Sequence, residues 1–346
     1  MGLAPDERRA GYNQPAMAYT RREFTKLALT AAPAVGLIGE PISGAWLGQS
    51  RPNSLINGVQ IGAITYSFRS LPDQSAEATL RYVIESGISA IELMDGPAET
   101  YAGRPSTGRG GGRGGRGAQL TLEQVAEQRA AQLAAQAAVK AWRTSVSMDK
   151  YKALRKMYND AGVSIYAVKI LSPNMSDEEY EYVFNVAEAL GCTHTTLELP
   201  TDEAQLKRIG GFAMKRKIYA AYHTHLQGSM TAFYQAFALS PGNMANVDLG
   251  HYVAAGNIGG TPIEFLEKHH ARISSVHIKD RKSKANGGEN VPWGTGDTPI
   301  KDILQTMKAR AWKFPATLEL EYRIPEGSDP VAETKKCVQY CADALK

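Results

Sequence analysis

Eight short apolar runs, each closing on polar or charged residues and each followed by a helical segment, constrain this chain more than any other feature. The runs span 60–66, 89–94, 163–171, 193–199, 218–225, 244–248, 273–279 and 316–321. The segments between them carry helix signals. Ser75–Ser86 is amphipathic and stops at Gly87. Ser176 with Glu179, and Thr261 with Glu264, have the spacing of capping boxes, in which each side chain satisfies a free backbone N–H. Pro299 and Pro330 stand where helices begin. Strands joined through helices pair in parallel, because each crossover returns the chain to the same end of the sheet. An open doubly wound sheet would carry a GxGxxG turn after its first strand. The chain has none there, so the expectation is a closed parallel (β/α)8 barrel, a TIM barrel. Such barrels commonly use about 250 residues as one domain. The 346 residues therefore divide into a leader and linker at 1–50 and one barrel domain at 51–346.

The leader has a reading of its own. Arg21 and Arg22 precede Phe24 and Lys26, and a modest apolar run follows from Leu27 to Ile38. This pattern resembles a bacterial twin-arginine export signal, with a weak cleavage candidate at Ser43–Ala45 and an alternative start at Met17. A periplasmic location is expected, for a protein exported already folded. No apolar run reaches the length of a membrane-spanning helix, so no stable membrane anchor is expected. The formal charge is +4, and much of the basic excess lies in the first quarter of the chain. The body gives no case for a nucleic-acid partner. Cys192, Cys337 and Cys341 lack metal-ligand spacing and read as packing residues. One segment interrupts the alternation. Gly103–Gly117 mixes glycine with Arg104, Arg109, Arg113 and Arg116, and a long Ala/Gln/Glu-rich helix follows to Trp142. The insertion at about 103–142 reads as an exposed addition to the barrel.

Barrel chemistry sits at the C-terminal ends of the strands. Those ends carry Tyr66, Glu92, Lys169, Glu198, His223 with His225, Asp248 with His251, His277 with Lys279, and Glu319 with Glu321. Valine, isoleucine and leucine are the default there, so this density of ionisable groups marks a site. Glu198, Asp248, His277 and Glu319 form an oxygen-rich, anionic candidate metal set. That set suits Mn²⁺ or Mg²⁺, with Co²⁺ or Zn²⁺ as further options. Without an ion, three converging carboxylates would repel one another. In 246–251, Asn246 and Asp248 share a strand face, Gly250 is expected to turn the chain, and His251 returns toward the carboxylate.

Thr196–Pro200 around Glu198, Val247–His251, Val276–Arg281 and Thr317–Glu321 together resemble the xylose-isomerase-like TIM-barrel family of sugar isomerases and epimerases. The resemblance covers the body from about Val59 onward. It implies a divalent metal held by Glu198, Asp248, His277 and Glu319, proton exchange by Glu198 and Glu319, and substrate contact by His251. Glu321 makes the eighth-strand ligand ambiguous, and the insertion lies outside the basic barrel.

The resulting expectation is a metal-dependent isomerase or epimerase that removes a proton next to a sugar carbonyl. Glu198, Glu319, His251 and Lys279 are its catalytic candidates. Tyr66, Glu92, Lys169, His223, His225, Arg281 and Trp293 are candidates for substrate binding, Trp293 either stacking on a sugar or anchoring its loop. The partner is a small carbohydrate, and a homo-oligomer is left open. Two alternatives share the site: a 3-oxo-glycoside lyase or hydratase, and a carbohydrate-binding barrel without catalysis. An abasic-site phosphodiesterase would need a richer metal cluster and a basic groove.

Overall fold

The computed structural model describes residues 51–106 and 121–346. The export motif and most of the Gly/Arg run lie outside the described residues. Eight parallel strands close into a barrel: β1 (Val59–Ile64), β2 (Ala90–Met94), β3 (Ser164–Lys169), β4 (His194–Glu198), β5 (Tyr219–His223), β6 (Asn243–Asp248), β7 (Ile273–Ile278) and β8 (Ala316–Leu318). Closure is the pairing of β1 with β8, Ile61 opposite Ala316 and Ala63 opposite Leu318. The (β/α)8 barrel read from the alternation is therefore the fold. A two-residue strand, Leu55–Ile56, turns back on β1 in antiparallel pairing and was not legible beforehand.

Eleven α-helices accompany the strands among the described residues: α1 (Ala76–Glu85), α2 (Asp95–Ala102), α3 (Leu122–Arg143), α4 (Asp149–Asp160), α5 (Asp177–Leu190), α6 (Glu203–Arg216), α7 (Tyr234–Leu239), α8 (Leu249–Ala255), α9 (Pro262–His269), α10 (Ile300–Ala309) and α11 (Pro330–Ala344). The capping boxes at Ser176 and Thr261 are formed as expected. A third, Thr121 with Gln124, opens α3. Gly191 closes α5 at φ 76°, where a residue with a Cβ would be strained. None of the described helices is long and apolar enough to cross a membrane.

The barrel interior is unusually polar. Gly62 of β1 leaves room for Tyr166 of β3, whose hydroxyl oxygen would lie 2.7 Å from a Cβ there. Tyr166 crosses to Thr317 Oγ1 at 2.7 Å, and His194 Nε2 meets Ser275 Oγ at 3.0 Å. Above this layer come Glu92, Thr196, Asn246 and His277, all fully buried. Each polar group is held by another from across the barrel, which is what makes burial tolerable.

Candidate metal centre

Strand register assembles the mouth. Asp248 pairs with His277, and His223 pairs with both Glu198 and Asn246. His223, Asp248, His277 and Glu319 each offer one ligand atom, all within 4.8 Å of one another, and all four are buried. Three of the four residues read from the sequence are in this group. Glu198 stands outside it, half-exposed, paired with Lys169 at 2.9 Å and His225 at 3.0 Å. The fourth position belongs to His223. Sequence reasoning placed His223 among substrate contacts, although its seat on β5, between the strands of Glu198 and Asp248, was an available signal.

Each member of the group is positioned by identifiable partners. Asp248 caps α8, its Oδ1 accepting from the His251 backbone N–H at 2.7 Å. Its other oxygen, Oδ2, is buried and makes no hydrogen bond among the described residues. The Lys279 ammonium lies 2.9 Å from that oxygen without the direction of a hydrogen bond. Gly250 has ordinary helical backbone angles within α8 and does not turn the chain through positive φ, contrary to expectation. Its need for glycine is steric, because a Cβ would stand 2.4 Å from Lys279 Cγ.

His277 faces two carboxylates. Nδ1 is 3.0 Å from Glu319 Oε2, and Nε2 is 2.7 Å from Glu92 Oε2. Burial opposes its charge, but Glu92 and Glu319 outweigh burial and raise its pKa to about 10. Glu92, a candidate for substrate contact, lies deep in the barrel at 0% exposure. Thr196 Oγ1 donates to it at 2.6 Å and Asn246 Nδ2 at 3.1 Å. Burial pushes the Glu92 carboxyl up, and the His277 charge pulls it down further, to about 2. Glu92 thus fixes the His277 ring and leaves Nδ1 facing the group.

Lys279 is 2% exposed and serves three carboxylates: Asp248, Glu319 at 2.8 Å and Glu321 at 2.6 Å. Burial disfavours its ammonium, yet these neighbours hold its pKa above the ordinary lysine value. Glu319 is also buried against ionisation, but Lys279 and His277 keep it well below the usual carboxylate range. Glu321 sits at the mouth and holds Lys279.

His251 faces a cationic donor at each ring nitrogen. Arg281 Nη1, always a donor, is hydrogen-bonded to His251 Nδ1, so that nitrogen accepts. Nε2 lies 3.2 Å from the Lys279 ammonium and 3.5 Å from Glu321. Burial and the Lys279 charge depress the His251 pKa to about 3. Burial, with the charges of His277 and Lys169, depresses His223 to about 3 as well. Both are neutral near pH 7 and able to act as ligands or donors. At the rim, the hydrogen bond to Glu198 raises His225. Burial favours a neutral Glu198, but His225 and Lys169 hold it ionised, well below the usual range.

Two remaining candidates lie further out. Tyr66, 38% exposed, carries Arg69 over its ring at 4.1 Å. Trp293 packs edge-on against Tyr340 of α11, which is the loop-anchoring arrangement. Its loop is pinned on Asp280, which accepts backbone N–H groups from Gly294, Thr295 and Gly296.

Two imidazoles and two carboxylates, with a buried carboxylate oxygen lacking a hydrogen bond, fit a divalent ion. His223, Asp248, His277 and Glu319 would hold it, with Nδ1 of His277 giving up its proton.

Solved structures share this architecture. D-psicose 3-epimerase from Clostridium cellulolyticum H10 superposes with a TM-score of 0.55 at 8% identity, covering 83% of this chain and 100% of that one. A 3-keto-D-glucoside 4-epimerase from E. coli gives 0.53 at 10% identity, covering 82% and 99%. A sugar phosphate isomerase/epimerase from Parabacteroides distasonis ATCC 8503 gives 0.53 at 16% identity, covering 88% and 99%. At these identities the likeness concerns the fold. No curated protein matches the chain in sequence. The family model of the xylose isomerase-like TIM barrel matches residues 129–341. With more than half its length matched, and with the barrel closed as that family requires, the chain belongs to the xylose isomerase-like TIM-barrel family.

Proposed function

We propose that this protein is a divalent-metal-dependent carbohydrate isomerase or epimerase that works by proton transfer at the carbon next to a carbonyl. The observation that carries this reading is the buried group of His223, Asp248, His277 and Glu319 at the barrel mouth. A bound divalent ion supplies Lewis-acid polarisation of a sugar carbonyl, which acidifies the neighbouring C–H.

The protein supplies the proton carrier. Glu319 is buried and committed to His277 and Lys279, so it is a poor base. Glu198 is ionised and reachable at the rim, so it is assigned the proton removal. Lys169 and His225 must turn to the substrate for its basicity to rise. Protonated Glu198 then returns the proton to the adjacent carbon, while His251, whose ring centroid is 4.7 Å from that of His225, is assigned contact with a substrate hydroxyl. Lys279 opposes the negative charge that develops on the carbonyl oxygen.

The donor set, richer in imidazole than the one read from the sequence, favours Mn²⁺, Co²⁺ or Zn²⁺ over Mg²⁺. The Arg21-Arg22 motif supports a periplasmic location and hence a sugar that is not phosphorylated. It also favours a second reading, elimination of the anomeric group from a 3-oxo-glycoside, which begins with the same proton removal. Export of a reporter fused to residues 1–50, lost when the twin-arginine translocase is absent, tests the location.

The test of the chemistry is deuterium uptake from heavy water over a panel of ketoses and 3-oxo-glycosides, followed by NMR. Wild type exchanges the proton next to the carbonyl of at least one member. Glu198→Gln slows that exchange by about 10²–10⁴-fold. The products separate isomerisation from elimination. Absence of exchange with every member would sink the proposal.

A further inference from the structure

The inserted helix α3 takes no part in the proposed proton transfer. It has no buried residues along its 22-residue length, yet one end is firmly held. Arg143 pairs with Glu99 at 2.9 Å and Glu179 at 3.1 Å. Glu99 is 0% exposed and also accepts from Arg104 at 2.8 Å and from the Tyr182 hydroxyl at 3.0 Å. The helix is thereby held at its C-terminal end beside the loop that follows β3.

Between the two lies a cavity of about 660 Å³. Leu133, Gln136 and Lys140 of α3 form one wall, and Ser172, Asn174 and Met175 of the loop form the other. Ser172 is the third residue after Lys169, so their Cα atoms lie within about 11 Å of each other. Lys169 holds Glu198 at 2.9 Å. The cavity therefore lies at the same end of the barrel as the assigned base, to one side of it.

We propose that this cavity is a subsite for a second sugar ring, so that the substrate is a glycoside rather than a free monosaccharide. The assignment rests on the carbohydrate reading above. Its volume is within the range of about 300–1,000 Å³ for ligand sites. The metal group already accounts for the reacting ring. Amide, hydroxyl and ammonium groups alternate there with the aliphatic surfaces of Leu133 and Met175, which matches a pyranose, with hydroxyls at its rim and C–H groups on its faces. Charge argues for a neutral ligand. The guanidinium groups of Arg104 and Arg143, which also line the cavity, are committed to Glu99 and Glu179, and Lys140 is attracted to the Glu178 carboxylate.

The test is calorimetric titration of full-length, metal-loaded protein with maltose, cellobiose, melibiose and lactose, each beside the corresponding methyl monosaccharide. At least one disaccharide should bind about tenfold tighter than its methyl counterpart, a difference of about 1.4 kcal/mol. Ala137→Trp, which fills the cavity from an exposed helix, should reduce that margin below twofold, with circular dichroism confirming the fold. Monosaccharide binding without any disaccharide margin, or a margin that survives Ala137→Trp, would overturn the subsite alone. Absence of binding by every sugar would overturn the carbohydrate reading and the subsite together.

Discussion

His277 Nε2 lies 2.7 Å from Glu92 Oε2, and both side chains are fully buried. Glu92 comes from β2 and His277 from β7, across the barrel, so the contact exists only once the sheet has closed. It fixes the ring of a proposed ligand from behind. Glu92→Gln keeps the shape but removes the charge. The expected outcome is a loss of about 10–100-fold in divalent affinity, read by competition with a chelating dye. Unchanged affinity would remove Glu92 from the site.

The two candidate fourth ligands are separable by metal analysis. His223→Ala should lower divalent content and affinity by at least about tenfold, as should Asp248→Ala. Glu198→Gln should retain the ion while losing proton exchange. The reverse pattern would move the ion to Glu198.

Stability should vary with pH on both sides of neutrality in the metal-free protein. His277 has a raised folded pKa of about 10 against an ordinary 6.5. Its contribution is complete below 6.5 and is lost as pH rises through about 10, because the unfolded chain gives up the proton first. His194 is depressed by burial to about 4, and His223 by burial to about 3. They stay neutral when folded, so the unfolded chain takes up more protons below 6.5 and stability falls with pH there. Thermal melts from pH 4 to pH 10 should show a maximum near neutrality. A saturating divalent ion should flatten the alkaline limb, since it replaces the His277 Nδ1 proton. An alkaline limb unchanged by the ion would contradict that role for His277.

Gly250 tests the packing beside the candidate metal group. A Cβ there would stand 2.4 Å from Lys279 Cγ and 2.8 Å from Lys279 O. Backbone and a buried stem cannot both yield, so Gly250→Ala should destabilise by about 1–3 kcal/mol in urea unfolding. A change within about 0.5 kcal/mol, as at an ordinary surface site, would mean that Lys279 relaxes freely.

The barrel was legible because its signals are local. Alternating apolar runs and capping residues such as Ser176 and Thr261 act within a few positions of chain, and the physics of one strand or one helix turn is enough to read them. The seven-residue α8 escaped notice because Asp248 serves twice. Its Oδ1 caps that helix while its Oδ2 faces the candidate metal group, and the sequence shows a single aspartate. Gly250 was read as a turn for a similar reason. The sequence reports a glycine, whereas the steric demand comes from Lys279, just past the end of the neighbouring strand β7.

What the sequence determined by itself is the closed eight-strand barrel, the chemistry-bearing strand ends, and the presence of Asp248, His277 and Glu319 among them. Hydrophobic period and helix caps are properties of short segments, and barrel closure follows from their order. Which side chains meet was left to the tertiary structure. Glu198 and His223 are register partners on adjacent strands. Lys169 and His225 capture the carboxylate at the rim, and the imidazole of His223 remains to face Asp248, His277 and Glu319. That choice depends on distances between groups far apart in the chain, and Coulomb and hydrogen-bond energies are decided by distance.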